Sequence, residues 1–129
     1  MRPETSVFIE AAGRDLAVAR GNLSLSFWDQ AARMAYYARF HAAQAMIFER
    51  GGKIAKTHKG VHSEFHRFAK VEANLLPGLA GELSRTYRHK EVADYDTGAA
   101  QPITADDASE AILTAERFVA AVRQALAAT

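Results

Sequence analysis

The chain has 129 residues, 49% of them hydrophobic, no cysteine and a formal net charge of +1. That length suits a single domain, residues 1–129, able to bury a core without staples. The missing cysteines exclude a disulfide framework and a thiolate metal site, which fits a reducing cytosol. The near-zero charge argues against a general nucleic-acid coat, and no run of 18 apolar residues exists to span a membrane. The N-terminal stretch lacks a signal peptide's apolar run, so a cytoplasmic location is expected.

Arg2-Pro3-Glu4-Thr5 reads as a helix entry, with proline in the first turn and Glu4 placed favourably against the helix dipole. Phe8, Ala12, Leu16, Ala19 and Leu23 follow at steps of three and four, while Glu10, Arg14, Asp15 and Arg20 lie off that stripe. Gly21-Asn22 is expected to end this first helix in the left-handed conformation, and Ser24 or Ser26 to cap the next. So short a link predicts antiparallel packing of the two helices.

Ser26 to Arg50 is small or apolar on almost every side and contains neither proline nor glycine. At 1.5 Å per residue it should run about 37 Å, as the central staff of a bundle. Gly51-Gly52 stops it, Lys53 to Thr57 connects, and Thr57 is a candidate N-cap for a third helix. That helix is expected to turn Val61, Phe65, Phe68 and Val71 inward and His58, His62 and His66 elsewhere. Glu72 to Pro77 reads as a break. A fourth helix is expected from Pro77 through Leu79, Leu83 and Tyr87, ending near Val92. After an irregular stretch from Asp94 to Pro102, Thr104 should cap a last helix with the stripe Ile112, Ala115, Val119, Val122 and Leu126, packed across the first two. No strand pattern survives comparison with the helical one, so the fold class is all-α, a bundle of about five helices.

Charge is divided along the chain. Arg50, Lys53, Lys56, Lys59, Arg67 and Lys70 face Glu64 alone between residues 50 and 70, whereas residues 94 to 116 hold six acids and no Lys or Arg. Two solvated faces that attract one another, or a basic surface for phosphate or RNA, both suit this division.

Three constellations could carry chemistry. His41 shares a helix face with Met34, Tyr37, Gln44, Ala45 and Phe48, and an imidazole can act as general acid or base near neutral pH. The same spacing suits a buried histidine satisfied by neighbouring tyrosines or backbone. His58, His62 and His66 stand four apart, but Lys59 takes the place of the glutamate in the zinc-binding HExxH pattern and no cysteine is available, so no metal site is expected. The face is instead basic enough to touch phosphates. Arg85, Arg88, His89, Lys90, Glu91, Asp94 and Tyr95 join a helix end to a loop, and suit either a cleft or a cation-stabilised helix C-terminus.

The run ARMAYYARFHAAQAMIFERGGKIAKTHKGVHSEF, followed about 25 residues later by ADYDTG, resembles the HEPN domain, in particular its small stand-alone bacterial branch. The motifs are Tyr36-Tyr37, Phe40-His41-Ala42, Thr57-His58-Lys59-Gly60 and Ala93-Asp94-Tyr95. The resemblance implies an up-and-down four- to five-helix bundle, often a homodimer paired through the central helices. It further implies metal-independent endoribonuclease activity in many members, with no cofactor, and pairing with a nucleotidyltransferase as toxin and antitoxin. Other members bind nucleotides or partners without catalysis.

The family's signature is an arginine, four to six intervening residues and a histidine. In this branch the arginine stands seven residues before the histidine, where this chain has Met34; Arg33 is one place too early. Metal-free RNA cleavage needs an acid/base and a fixed cation for the phosphate, and methionine cannot supply the second. The resemblance therefore carries over His41 as catalytic with Arg33 as substitute cation, and Tyr37, Lys56, His58, Lys59 and Asp94 as cleft, RNA- or nucleotide-binding residues. Two readings follow: a nucleotide-, RNA- or partner-binding module with a degenerate motif, or an active ribonuclease toxin using His41 in a dimer cleft.

Overall fold

The computed structural model describes residues 1–75, 78–79, 81–83 and 102–128. Every described element is a helix: α1 (Pro3–Ser24), α2 (Trp28–Gly51), α3 (His58–Ala69) and α4 (Ala105–Ala127). None of them is long and apolar enough to cross a membrane. The architecture is the all-α bundle that the sequence predicts, with α2 packed against α1, α3 and α4, and α1 also against α4. The expected helix from Pro77 to Val92 lies mostly outside the described residues; its Leu79 and Leu83 are buried.

The burial of α2 follows from its side chains. Thirteen of its 24 residues are buried, and seven of those are alanines spread around the helix. Alanine lets neighbouring backbones approach on several sides at no cost in helix propensity. Ala12 and Ala19 of α1 and Ala108, Ala115 and Ala125 of α4 are likewise fully buried. Larger side chains, among them Tyr36, Met46, Phe65 and Phe118, fill the remaining space, with the last two rings 5.1 Å apart between α3 and α4.

Side-chain pairs set the helix directions. Thr5 Oγ1 and the Arg2 backbone N–H both donate to Glu49, and His41 meets Asp15, so α1 and α2 run antiparallel. Arg39 reaches the Ala111 carbonyl and Arg50 the Ala125 carbonyl, so α4 runs with α2. The connection after α2 is less obvious. Gly52 takes φ +74° and donates its N–H to Phe48 O, turning the chain. Residues 53–57 then run back beside α2, where Gln44 Nε2 donates to the Ala55 carbonyl. Helix α3 consequently starts against Tyr36, near the middle of α2, and ends with Phe68 against Gly51.

Caps behave as local chemistry dictates, with one exception. Thr57 accepts from Gly60 N–H, and Thr104 forms a reciprocal capping box with Asp107. Helix α1, by contrast, passes the expected stop at Gly21-Asn22 and runs to Ser24. Its end is a Schellman turn in which Phe27 N–H reaches Asn22 O and Ser26 N–H reaches Leu23 O. Ser26 takes the left-handed position at φ 64°, and no side chain caps α2, so neither serine has the capping role expected of it. Two core assignments also change: Ile9 replaces Phe8 as the buried residue of the first turns, and Val71 is exposed because α3 ends before it.

Candidate active site

His41 lies midway along α2 on the side facing α1. Its Nδ1 is 2.5 Å from Asp15 Oδ2, with the two side chains 29% and 14% exposed. A carboxylate only accepts, so Nδ1 carries the shared hydrogen and the basic lone pair of the neutral ring lies on Nε2. Antiparallel pairing of α1 and α2 makes this contact. Asp15 is missed by reading single helices, because it sits beside the apolar stripe of α1 and only the alignment of two helices gives it a partner.

The Tyr37 ring lies tilted 6.4 Å from that of His41 and 6.0 Å from that of His58. Phe40 bridges the same two imidazoles at 5.9 and 5.0 Å. His58 therefore packs in the cluster around His41 and does not face away from the core as the sequence reading expects. Its Nδ1 lies 2.9 Å from the hydroxyl of Tyr36, and His62 Nε2 lies 2.7 Å from that same hydroxyl. Burial, followed by repulsion from His58, pushes the His62 imidazole below its ordinary pKa. His66 is exposed, so the three histidines do not act as a set. Among the described residues no group of three metal-binding side chains forms.

The cations separate by depth. Arg39 is fully buried, donates from Nη1 to the Ala111 carbonyl and is held to about 10 by desolvation, which the charge of Glu82 and the phenol of Tyr36 only partly offset. Arg33 is half-buried on α2. Eight residues before His41, it stands about 80° around the helix and about 12 Å along it. Met34, on the face of His41, packs half-buried against the core. Lys56 and Lys59 are exposed, and Asp94 lies outside the described residues.

Comparison with known proteins gives a family and a fold. The model of the HEPN domain matches residues 5–125. "Putative toxin MJ0605" of Methanocaldococcus jannaschii is 29% identical over 98% of this chain and 91% of its own. A UPF0332 protein of Archaeoglobus fulgidus is 28% identical over 95% of each. The crystal structure of TT1696 from Thermus thermophilus superposes with a TM-score of 0.78, at 22% identity, over 96% of this chain and 99% of that one.

Proposed function

The chain belongs to the HEPN-domain family, and on that premise we propose that it is a toxin-type protein that cuts RNA without metal by acid–base chemistry at His41. The observation that carries this reading is the contact of His41 Nδ1 with Asp15. An imidazole oriented by a carboxylate is fixed in one tautomer and keeps its second nitrogen for proton transfer. In the proposed step that nitrogen takes the proton of a ribose 2′-hydroxyl, whose oxygen attacks the adjacent phosphorus. The phosphorus–O5′ bond breaks, the departing oxygen takes the proton back from the imidazolium, which returns to its neutral form, and a 2′,3′-cyclic phosphate remains. Asp15 stabilises the imidazolium formed on the way. Two copies paired along α2 would add the Arg33 side chains as phosphate cations, and the toxin name carried by a relative with 98% coverage of this chain supports the class of action.

Met34 favours a second reading. It stands where the family places its arginine, so the transition state lacks a cation from the same helix face. On that reading the protein binds RNA or a nucleotide, or serves as the helical partner of a nucleotidyltransferase, which co-purification would detect. One experiment separates the two. Purified protein is incubated with mixed RNA in EDTA and the ends are analysed for cyclic phosphate. Cleavage lost with His41→Ala, and reduced about a hundredfold or more with Asp15→Asn, supports the first reading. If the wild type is inert and Met34→Arg cuts, the second holds. Activity that survives His41→Ala refutes the site.

A further inference from the structure

The six cations between residues 50 and 70 are not equivalent once the chain is folded. Arg50 is bound at two points by Glu72, and Arg67 by Glu64 at 2.6 Å. Lys53, Lys56, Lys59 and Lys70 are all exposed, and none makes an ion pair among the described residues. Among the described residues no ion pair joins these lysines to an acid of α4, where Asp107 caps its own helix and Glu116 pairs with Arg20 of α1. The basic segment thus presents four exposed lysines without an ion pair among the described residues.

Beside these lysines lies a groove of about 300 Å³ between the end of α2, the connection and α3, with Ile47, Ile54 and Phe68 on its apolar wall and Lys53 and Arg67 among its lining. Its shape depends on Gly51, since a Cβ there would come within 2.8 Å of the Phe68 ring. Ile54, on the wall of this groove, is 46% exposed. Arg67 lies over the Phe68 ring at 4.4 Å while Glu64 holds its guanidinium from the side. A guanidinium lying over a ring and held at its edge by a carboxylate presents one flat, solvent-exposed face, and unpaired bases stack on such planes. A groove of this volume takes one base with its ribose.

We infer that this groove holds one unpaired nucleotide of a single-stranded RNA, its base on Arg67 and Ile54 and its flanking phosphates on Lys53 and Lys56. It is a subsite apart from the His41–Asp15 pair, and it rests on the proposed action on RNA. An acidic peptide would use the lysines but has no need of the flat platform.

The test uses full-length protein carrying His41→Ala, so that RNA is not consumed, and measures binding of a labelled 12-nucleotide single strand against salt. Adding Arg67→Lys keeps the charge and removes the plane; binding should weaken about fivefold or more with the salt slope unchanged. Adding Lys53→Ala and Lys56→Ala should lower the slope of log K against log salt by about 1.4, as expected for two lost phosphate contacts on a single strand. Polyphosphate should not distinguish Arg67→Lys from its parent. The inference is overturned if Arg67→Lys binds RNA like its parent, if the slope does not change, if the parent binds no RNA, or if polyglutamate shows the same dependence on Arg67. Cleavage by wild-type protein decides the His41 reading separately: RNA bound as described but never cut leaves the groove and removes the catalysis.

Discussion

Replacing Tyr36 with phenylalanine isolates one hydroxyl at the seam between α2 and α3. The ring is fully buried and packs edge-on against Tyr37 at 5.6 Å, contacts that phenylalanine keeps. What disappears is the oxygen that meets His58 at 2.9 Å and His62 at 2.7 Å. A net hydrogen bond contributes about 1 kcal/mol, and the two half-buried imidazoles recover part of their loss from water. The variant should therefore be less stable by about 1.5 to 2 kcal/mol, a fall in Tm of roughly 6 °C for a domain of this size. Urea unfolding followed by circular dichroism measures this directly, with exposed His66→Ala as the control that should change stability by less than about 0.5 kcal/mol. A Tyr36→Phe midpoint within error of wild type would refute the claim that this hydroxyl fastens α3 to α2.

His62 gives the bundle a pH dependence of known sign. Its folded pKa is depressed, so its contribution is complete above the ordinary value of 6.5 and is lost as pH falls through the lower folded value. Urea midpoints should drop as pH falls below about 6.5, and His62→Gln should flatten that part of the curve. Ser26→Gly should raise stability by about 0.5 to 1 kcal/mol, because glycine takes the left-handed turn position at φ 64° without strain; a lower midpoint would refute the Schellman reading. Thr104→Ala removes half of a capping box and should cost about 1 kcal/mol in thermal or urea unfolding.

What the sequence makes legible is what depends on neighbours along the chain. The caps at Thr57 and Thr104, the stop at Gly51-Gly52 and the five-residue stripe of α4 are local, and each is found where its residues put it. The central helix announces itself by having no polar face wide enough for solvent. The contacts around His41 and Tyr36 are set by tertiary path. Asp15 meets His41 because two helices align antiparallel across a short turn, which a single-helix stripe does not encode. His58 and His62 face Tyr36 because residues 53–57 double back along α2; a connection leading outward would have left the same histidines in water. Gly21-Asn22 fails as a stop since a helix can absorb both residues when Leu23 still packs on the core, leaving Ser26 to make the turn.

The same geometry limits where a phosphate cation can come from. Arg39 is two residues from His41 in sequence but about 160° away around the helix. Its guanidinium is fully buried and bonded to the Ala111 carbonyl, and desolvation already brings its pKa to about 10, so it cannot swing to a phosphate without leaving α4. Met34 faces the right way and carries no charge. Arg33 carries the charge and stands about 80° off the face and about 12 Å along the axis, at the limit of an arginine's reach. Among the described residues, then, α2 supplies an imidazole oriented by a carboxylate and no cation on the same face. On the proposed reading, catalysis at His41 requires a cation from outside its own helix face, and RNA that is bound but never cut by wild-type protein would mean that no such cation reaches it.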